Sequence, residues 1–536
     1  MAAFTYPGVY IQEISSGVHT ITGVATSIAA FVGWANTGPT DRAVLVQSWT
    51  DFQNQFGGLT SYEGTPNYLG YAVNQFFANG GSQAYIVRLV ATAAVVTANA
   101  GDTQAVKASV PIPGSGGAAF TATAIDEGQW ANSIYGIRIV TNSFDSTRFS
   151  LLVVYTPVGG QETTVESFPN LSLDPSDTQG RGIISVVNDP GTGSQIIQVS
   201  NVVVANLPTA NPLTIPAGTG PYALGVGAGS VAGVDGTVLI PGAADFLTAL
   251  DASTGGTAGV HLLDTVPIFN LLCVPGETDP ATITELQAYC QSQRAFYIVD
   301  CKSSDNFTSL QTGPSGITGT TQAANSAFYF PWLNAPDPLQ QNRINLFPPC
   351  GFVAGLYAAT DASRGVWKAP AGIDAGLTGE SGPNVLLTDI QNGTLNVQGI
   401  NCIRSFPVYG DVIWGARTLR GNDQLASEWK YVPIRRLALF LESSLYDGTQ
   451  WVVFEPNDER LWSQIRLNVG AFMQGLFLQG AFQGTTPQQA FFVKCDGENN
   501  PQSSIDQGIV NILVGFAPLY PAEFVVIQIQ QMAGQV

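Results

Sequence analysis

The sequence predicts a multidomain chain of mixed α/β and α+β class, with an all-β domain inserted into the α/β part. Three observations carry that prediction. Strand-like apolar runs alternate with helical periodicity over residues 28–90 and again over 256–345. Between them, residues 91–255 hold short β-rich runs separated by Gly, Pro, Asn and Asp, and helical periodicity almost disappears. The longest helical patterns fall within 346–520, among further strand-like runs. A chain of 536 residues is long enough for three or four domains, each with its own core.

Taken in order, residues 1–27 read as an extended arm, with Pro7-Gly8 as a turn signal. Val18, Thr20, Thr22, Val24 and Thr26 alternate with His19, Ile21 and Gly23, a β-branched strand pattern. Ile28 to Trp34 is a more buried strand. Asp51 to Phe56 predicts a short helix with Thr50 as N-cap. Tyr68 to Phe77 predicts another, with Leu69, Val73, Phe76 and Phe77 at helical spacing and Asn79-Gly80-Gly81 as its stop. Ala84 to Leu89 returns as a strand. In the inserted region Ile137 to Val140 and Phe149 to Tyr155 are strands of a sandwich or barrel, and the glycine-rich stretch 216–236 is loop. That domain is expected to face outward, because insertions are tolerated where interfaces are few.

Val266 to Cys273, a helix from Ala281 to Gln293, and Ala295 to Asp300 then form a βαβ unit, for which a parallel sheet is expected. Ser326 to Phe330 adds a strand, and residues 28–90 complete the same sheet. In the C-terminal domain, Leu437, Phe440, Leu441 and Leu445 define one face of a helix from Ile434. Asn457 can cap a second helix reaching Leu478, and strands near 397–403, 489–494 and 509–516 are expected to cover this helix pair. The last segment, 521–536, alternates: Val525, Ile527 and Ile529 on one face, Phe524, Val526 and Gln528 on the other. Such a strand needs a partner edge, in its own domain or in a neighbouring copy.

Composition narrows the function. Only 11 % of residues are charged, against roughly 25 % in ordinary soluble chains. Burial of surface against other copies produces that composition, and so does a surface of Ser, Thr, Asn and Gln. The net charge of −19 argues against nucleic acid as a partner. It is uneven: −15 over residues 1–342, zero over 343–494 and −4 over 495–536. Six scattered cysteines without CxxC spacing, and two histidines, make a zinc site a poor reading and point to buried thiols of a reducing compartment. There is no apolar run of spanning length and no secretory signal, so synthesis and assembly in the cytoplasm are expected.

Motifs for chemistry are mostly missing. The dipeptide Gly-Lys never occurs, so there is no phosphate-binding P-loop. Gly225, Gly227 and Gly229 match a dinucleotide fingerprint only loosely. A Ser-His-Asp triad would have to use His19 or His261, and the latter reads as a strand end. Asp300 ends a strand at the carboxyl edge of an α/β sheet, where a cap or turn is its expected role. No catalytic, cofactor-binding or metal-binding residue is assigned, and no cofactor is expected.

The blocks Tyr6-Pro7-Gly8-Val9-Tyr10, Pro348-Pro349-Cys350-Gly351-Phe352, Gly365-Val366-Trp367-Lys368-Ala369-Pro370, Gly399-Ile400-Asn401-Cys402, Trp414-Gly415-Ala416-Arg417, Tyr431-Val432-Pro433-Ile434-Arg435-Arg436 and Trp451-Val452-Val453-Phe454-Glu455-Pro456-Asn457 stand in a set order. Together with Lys494 to Pro501 and the terminal strand, this order resembles contractile tail sheath proteins of phages and phage-tail-like injection systems, over roughly 1–90 and 345–536. The resemblance implies a sheath core built from both chain ends and a structural, non-enzymatic subunit. That subunit polymerises helically around an inner tube and contracts to drive the tube through a target envelope. It implies partners: copies of itself in stacked rings, the inner tail tube protein, and baseplate and tail terminator or cap proteins. Neither nucleic acid nor direct membrane insertion enters. It also implies strand exchange between subunits by β-augmentation, here through Val18, Thr20, Thr22, Val24, Phe524, Val525, Val526, Ile527 and Ile529. Tube contact is expected from the basic cluster Lys430, Arg435, Arg436, Arg460 and Arg466, and the finished protein is expected in a phage tail or a released extracellular particle. Another tail or baseplate component, or an α/β enzyme with a β insertion, is the alternative.

Overall fold

The computed structural model describes residues 19–62, 65–211 and 220–528. The chain divides into two compact units, an α/β unit of residues 27–359 and 370–430 and a C-terminal unit of residues 1–26, 360–369 and 431–536.

An eight-stranded sheet organises the α/β unit. Its order is Gly410–Ile413, Ile400–Phe406, Ser326–Phe330, Phe296–Asp300, Leu271–Cys273, Ala29–Trp34, Ala84–Leu89, Val44–Val46. The six inner strands are parallel, and both edge strands are antiparallel to their neighbours. Buried on both faces, the inner strands read as continuous apolar runs. The helix Pro280–Ser292 makes the crossover from Leu271–Cys273 to Phe296–Asp300, as its apolar spacing predicts. Its cap is Asp279, which accepts from Thr282 N.

Helix Tyr68–Ala78 lies against helix Cys350–Arg364 at unusually short range. A Cβ on Gly351 would stand 2.5 Å from Ala72 O, and one on Gly355 2.6 Å from Phe76 O, so only glycine lets the backbones approach this closely.

Several expectations change. The hairpin Ile400–Phe406 and Gly410–Ile413, expected among the strands of the C-terminal domain, extends the large sheet, pairing in parallel with Ser326–Phe330. The α/β domain therefore runs to residue 430, where the expected boundary was 345. Ile400, Cys402 and Ile403 are buried at 1 % exposure or less, and nothing local in such a short apolar run encodes which distant strand it joins. Of the expected strand Val266–Cys273, only Leu271–Cys273 forms; a 3₁₀ turn, Gly259–Thr265, precedes it and holds His261.

The inserted domain is a pair of antiparallel sheets. One runs Thr163–Leu171, Phe149–Tyr155, Tyr135–Thr141, Tyr222–Ala223; the other runs Ile197–Ser200, Gly117–Ala124, Ser109–Gly114. Their inward residues, among them Val110, Phe120, Ile137, Leu151 and Ile197, make one core of their own. The helices Ala93–Ala98 and Ala244–Leu250 fall inside the expected insertion limits of 91–255, yet Val95, Phe246 and Leu250 belong to the α/β core. The β domain is thus narrower than its change in composition indicates.

Candidate functional site

The C-terminal unit is built on two helices, Val432–Gly448 and Glu459–Leu478. Leu437 and Leu441 on the first meet Leu461, Ile465, Val469, Met473 and Leu476 on the second. Asp458, not Asn457, caps the second helix, accepting from Leu461 N at 3.0 Å. Asn457 instead donates to Ile509 O and accepts from Trp462 Nε1, both at 2.9 Å, tying the helix start to the segment that joins the two strands of the last hairpin.

That hairpin pairs Phe491–Lys494 with Leu513–Phe516 in antiparallel register. Phe491, Val493, Val514 and Phe516 pack towards the helices, while Phe492 and Leu513 are each 53 % exposed. Among the described residues neither strand pairs with a third. A two-stranded sheet is marginal by itself, and this one leans on its helices.

Beyond the hairpin the chain has few anchors. Gln483 N donates to Ala517 O, and Ala517 N donates to Ala490 O. Tyr431 packs edge-on to Tyr520 and donates its hydroxyl to Glu523 at 3.1 Å. Then come Phe524, Val525, Val526 and Ile527, exposed at 74–81 % and in no strand. Four consecutive large apolar side chains in water are an anomaly for a finished surface. Ile529, the next residue of that face, lies outside the described residues, as does Val18 at the other end.

The N-terminal segment differs from its sequence pattern. Residues 19–26 form no strand within this subunit. Ile21 is 6 % exposed and sits in the helical core, whereas Thr20 and Thr22 are exposed and Val24 is half-buried. A Cβ on Gly448 would come 2.5 Å from Ile21, so the end of the first helix is shaped to admit that side chain. His19 stacks on Trp451 at 4.2 Å, and Val24 N donates to Ser444 Oγ at 3.2 Å. These anchors hold the segment along the helix, leaving its threonine face outward.

The five basic candidates do not share one surface. Arg436 is 3 % exposed, paired with Asp361 at 2.6 Å and donating to Thr26 O at 2.8 Å. Arg435 is 8 % exposed and pairs with Glu442. Lys430 pairs with Asp423 at 2.6 Å. Arg466 pairs with Glu459 and donates to Cys495 O. Arg460 is exposed and forms no ion pair among the described residues. Sequence reading missed the rest of its face: Ser463, Leu467, Ala471 and Leu478 follow Arg460 at helical spacing and are exposed, Leu467 at 58 % and Leu478 at 75 %. The signal was present, because these apolar residues fall off the core stripe of the same helix.

The histidine and acid candidates have structural partners. His261 lies within hydrogen-bond distance of Asp264 and Ser253 O, at 3.1 and 3.0 Å. Asp300 accepts from Gly276 N at 2.9 Å and from Cys350 N at 2.8 Å, so it caps the helix that Cys350 begins. Burial pushes its carboxyl up to about 7 against those two donors. All six cysteines are free and buried, and no group of three or more metal-ligating side chains occurs among the described residues. Among the described residues no helix is long and apolar enough to cross a membrane.

Residues 244–419 match the phage tail sheath protein central domain, and residues 425–532 match the phage tail sheath C-terminal domain, together just over half of the chain. The chain belongs to the contractile tail sheath protein family. It is similar to the tail sheath protein of Vibrio phage KVP40, 32 % identical over 170 residues, which are 31 % of this chain and 24 % of the phage protein. The alignment thus spans about a quarter of that relative. A putative prophage major tail sheath protein of Pseudomonas aeruginosa UCBPP-PA14 is 27 % identical over 286 residues, 51 % of this chain and 68 % of the relative. In fold, the chain resembles the PVC sheath complex of an extracellular contractile injection system in its contracted state. The TM-score is 0.57 at 22 % identity, over 99 % of both chains. The sheath tail protein Lin1278 of Listeria innocua gives 0.54 at 11 % identity, over 93 % of this chain and 96 % of that one.

Proposed function

We propose that this sheath subunit polymerises helically around an inner tube and that the polymer contracts, driving the tube through a target envelope. One observation carries the reading: Phe524 to Ile527 stand exposed, shortly after a two-stranded sheet that has no third strand among the described residues. In a neighbouring copy the same segment meets an open sheet edge, where backbone hydrogen bonds supply affinity and alternating side chains set the register. Strand addition of this kind is heterologous and need not close, which is what an open helix requires. Val18, Thr20, Thr22 and Val24 are the corresponding donors at the other end. The subunit acts as a structural element, not an enzyme, made and assembled in the cytoplasm and carried in a phage tail or a released particle. Baseplate and terminator proteins close the polymer at its ends.

The tube contact falls to the exposed face of helix Glu459–Leu478, with Arg460 at its start, because Arg435 and Arg436 are committed to internal pairs. Arg460→Glu should abolish assembly around the tube while tube-free polymers still form, and particles of normal yield from this variant would remove the assignment. For the strand joint, a chain ending at Pro521 is compared with the full chain by negative-stain electron microscopy. The full chain should give tubular polymers. The shortened chain should remain as folded single subunits by circular dichroism and sedimentation.

A further inference from the structure

A cavity lies at the carboxyl edge of the large sheet. The strand Ala29–Trp34 has parallel neighbours on both sides, Ala84–Leu89 and Leu271–Cys273. From it the sheet grows in opposite directions, toward Val44–Val46 on one side and toward Phe296–Asp300 and Ser326–Phe330 on the other. That is a topological switch point, and in open α/β sheets the crevice outside the carboxyl ends at such a point is where small molecules bind. A cavity of about 170 Å³ lies there, lined by Val32 and Trp34 at the strand end, Pro275 just past the next strand, and Leu69, Leu239 and Phe246. All six residues are buried.

Size and lining define what the cavity takes. Apolar cavities of about 150 Å³ stay dry and accept benzene. Among the described residues no Asp, Glu, Lys, Arg or His lines this one, which favours a neutral ligand. Among the polar side chains on its wall, Asn67 is committed, accepting from Leu69 N at 3.2 Å and donating to Thr60 Oγ1 at 3.1 Å. The hydroxyl of Tyr68 has no hydrogen-bond partner among the described residues, and the ring is fixed edge-on to Trp332 at 5.4 Å. Trp34 Nε1 is buried and unpaired among the described residues. We propose that this cavity is a binding site for a small neutral molecule carrying one aromatic ring and one polar substituent, of the phenol or indole class. The ring fills the apolar space and the substituent bonds to Tyr68. This site is independent of the assembly reading.

The test uses the full chain, titrated with phenol, indole, benzene and benzoate by calorimetry and by shift of the thermal midpoint. Phenol and indole should bind saturably, one per chain, with dissociation constants of about a millimolar or tighter, and should raise the midpoint with concentration. Benzoate should not bind, because its carboxylate would lose water against an apolar wall. Val238→Phe, on the half-buried segment of the lining, fills the space and should remove phenol binding without lowering the midpoint. Tyr68→Phe should weaken phenol several-fold and leave benzene unchanged. Absence of saturable phenol binding, equal binding of benzoate, or a phenol affinity untouched by Tyr68→Phe would each overturn the proposal.

Discussion

Arg88 is 2 % exposed and forms no ion pair with a carboxylate among the described residues. Its guanidinium donates to the carbonyls of Ala35, Asn36 and Gly38, each at 2.7 Å, and to Glu127 O at 3.1 Å. Burial lowers its pKa to about 10, opposed by Asp126, Glu127 and Asp235, so it stays charged at neutral pH. One side chain thus fixes the turn after Ala29–Trp34 to the entry of the inserted domain. Arg88→Met leaves four carbonyls short of a donor, those of Ala35 and Gly38 buried, and should cost about 3–5 kcal/mol, read as a lower urea midpoint with unchanged m-value. Asp300 sets a pH dependence. Its carboxyl pKa is raised from 3.8 to about 7, so its stabilising contribution is complete below about pH 4 and is lost as pH rises through 7. Asp126, raised to about 6, and Glu380, raised to about 7 by burial and by Asp411, act in the same direction. The thermal midpoint of the α/β unit should fall between pH 5 and pH 8 in calorimetry. Asp300→Asn should flatten part of that slope, and an unaltered slope would exclude Asp300 as a source. The sequence placed Asp300 at a strand end; its partner Cys350 N is fifty positions away and leaves no local trace.

At the scale of elements, long amphipathic helices were legible because their apolar spacing repeats over many turns. Their ends were less so. Ser48 caps the helix Trp49–Phe56 where Thr50 was expected, and Asp458 caps where Asn457 was expected. Neighbouring Ser, Thr, Asn and Asp are chemically equivalent caps, and only backbone geometry chooses among them. The alternation over 18–26 is not what fixes the segment within its own subunit. Threonines at period two indicate strand propensity, but the residue that binds the segment to its own subunit is Ile21, from the opposite set. Ile21→Ala should destabilise the C-terminal unit by about 2–4 kcal/mol in chemical denaturation, with Thr20→Ala within about 0.5 kcal/mol of the parent. Equal effects of the two substitutions would mean that the arm is not anchored through Ile21.

Across the whole molecule, class and family were readable while partnership between distant segments was not. The large sheet gathers strands from residues 29–46, 84–89, 271–330 and 400–413, and a period-two or all-apolar run carries no address for its neighbour. The inserted domain announced itself through its change in texture, but its flanking helices were hidden because apolar contacts tie them back to the α/β core. Alternation and β-branching, both local properties, mark the C-terminal run as strand-like in the sequence, while its described residues Phe524 to Ile527 lie in no strand of the single chain. A low charged fraction of 11 % fits a surface largely covered by other copies. In this account the exposed segment around Phe524 to Ile527 becomes a strand only in the polymer. Hydrogen–deuterium exchange read by mass spectrometry, on soluble subunits and on assembled tubes of the same chain, tests this most directly. The backbone amides of residues 523–528 should exchange within seconds in the free subunit and be protected by orders of magnitude in the tube. Tubes in which those amides exchange as fast as in the free subunit would contradict it.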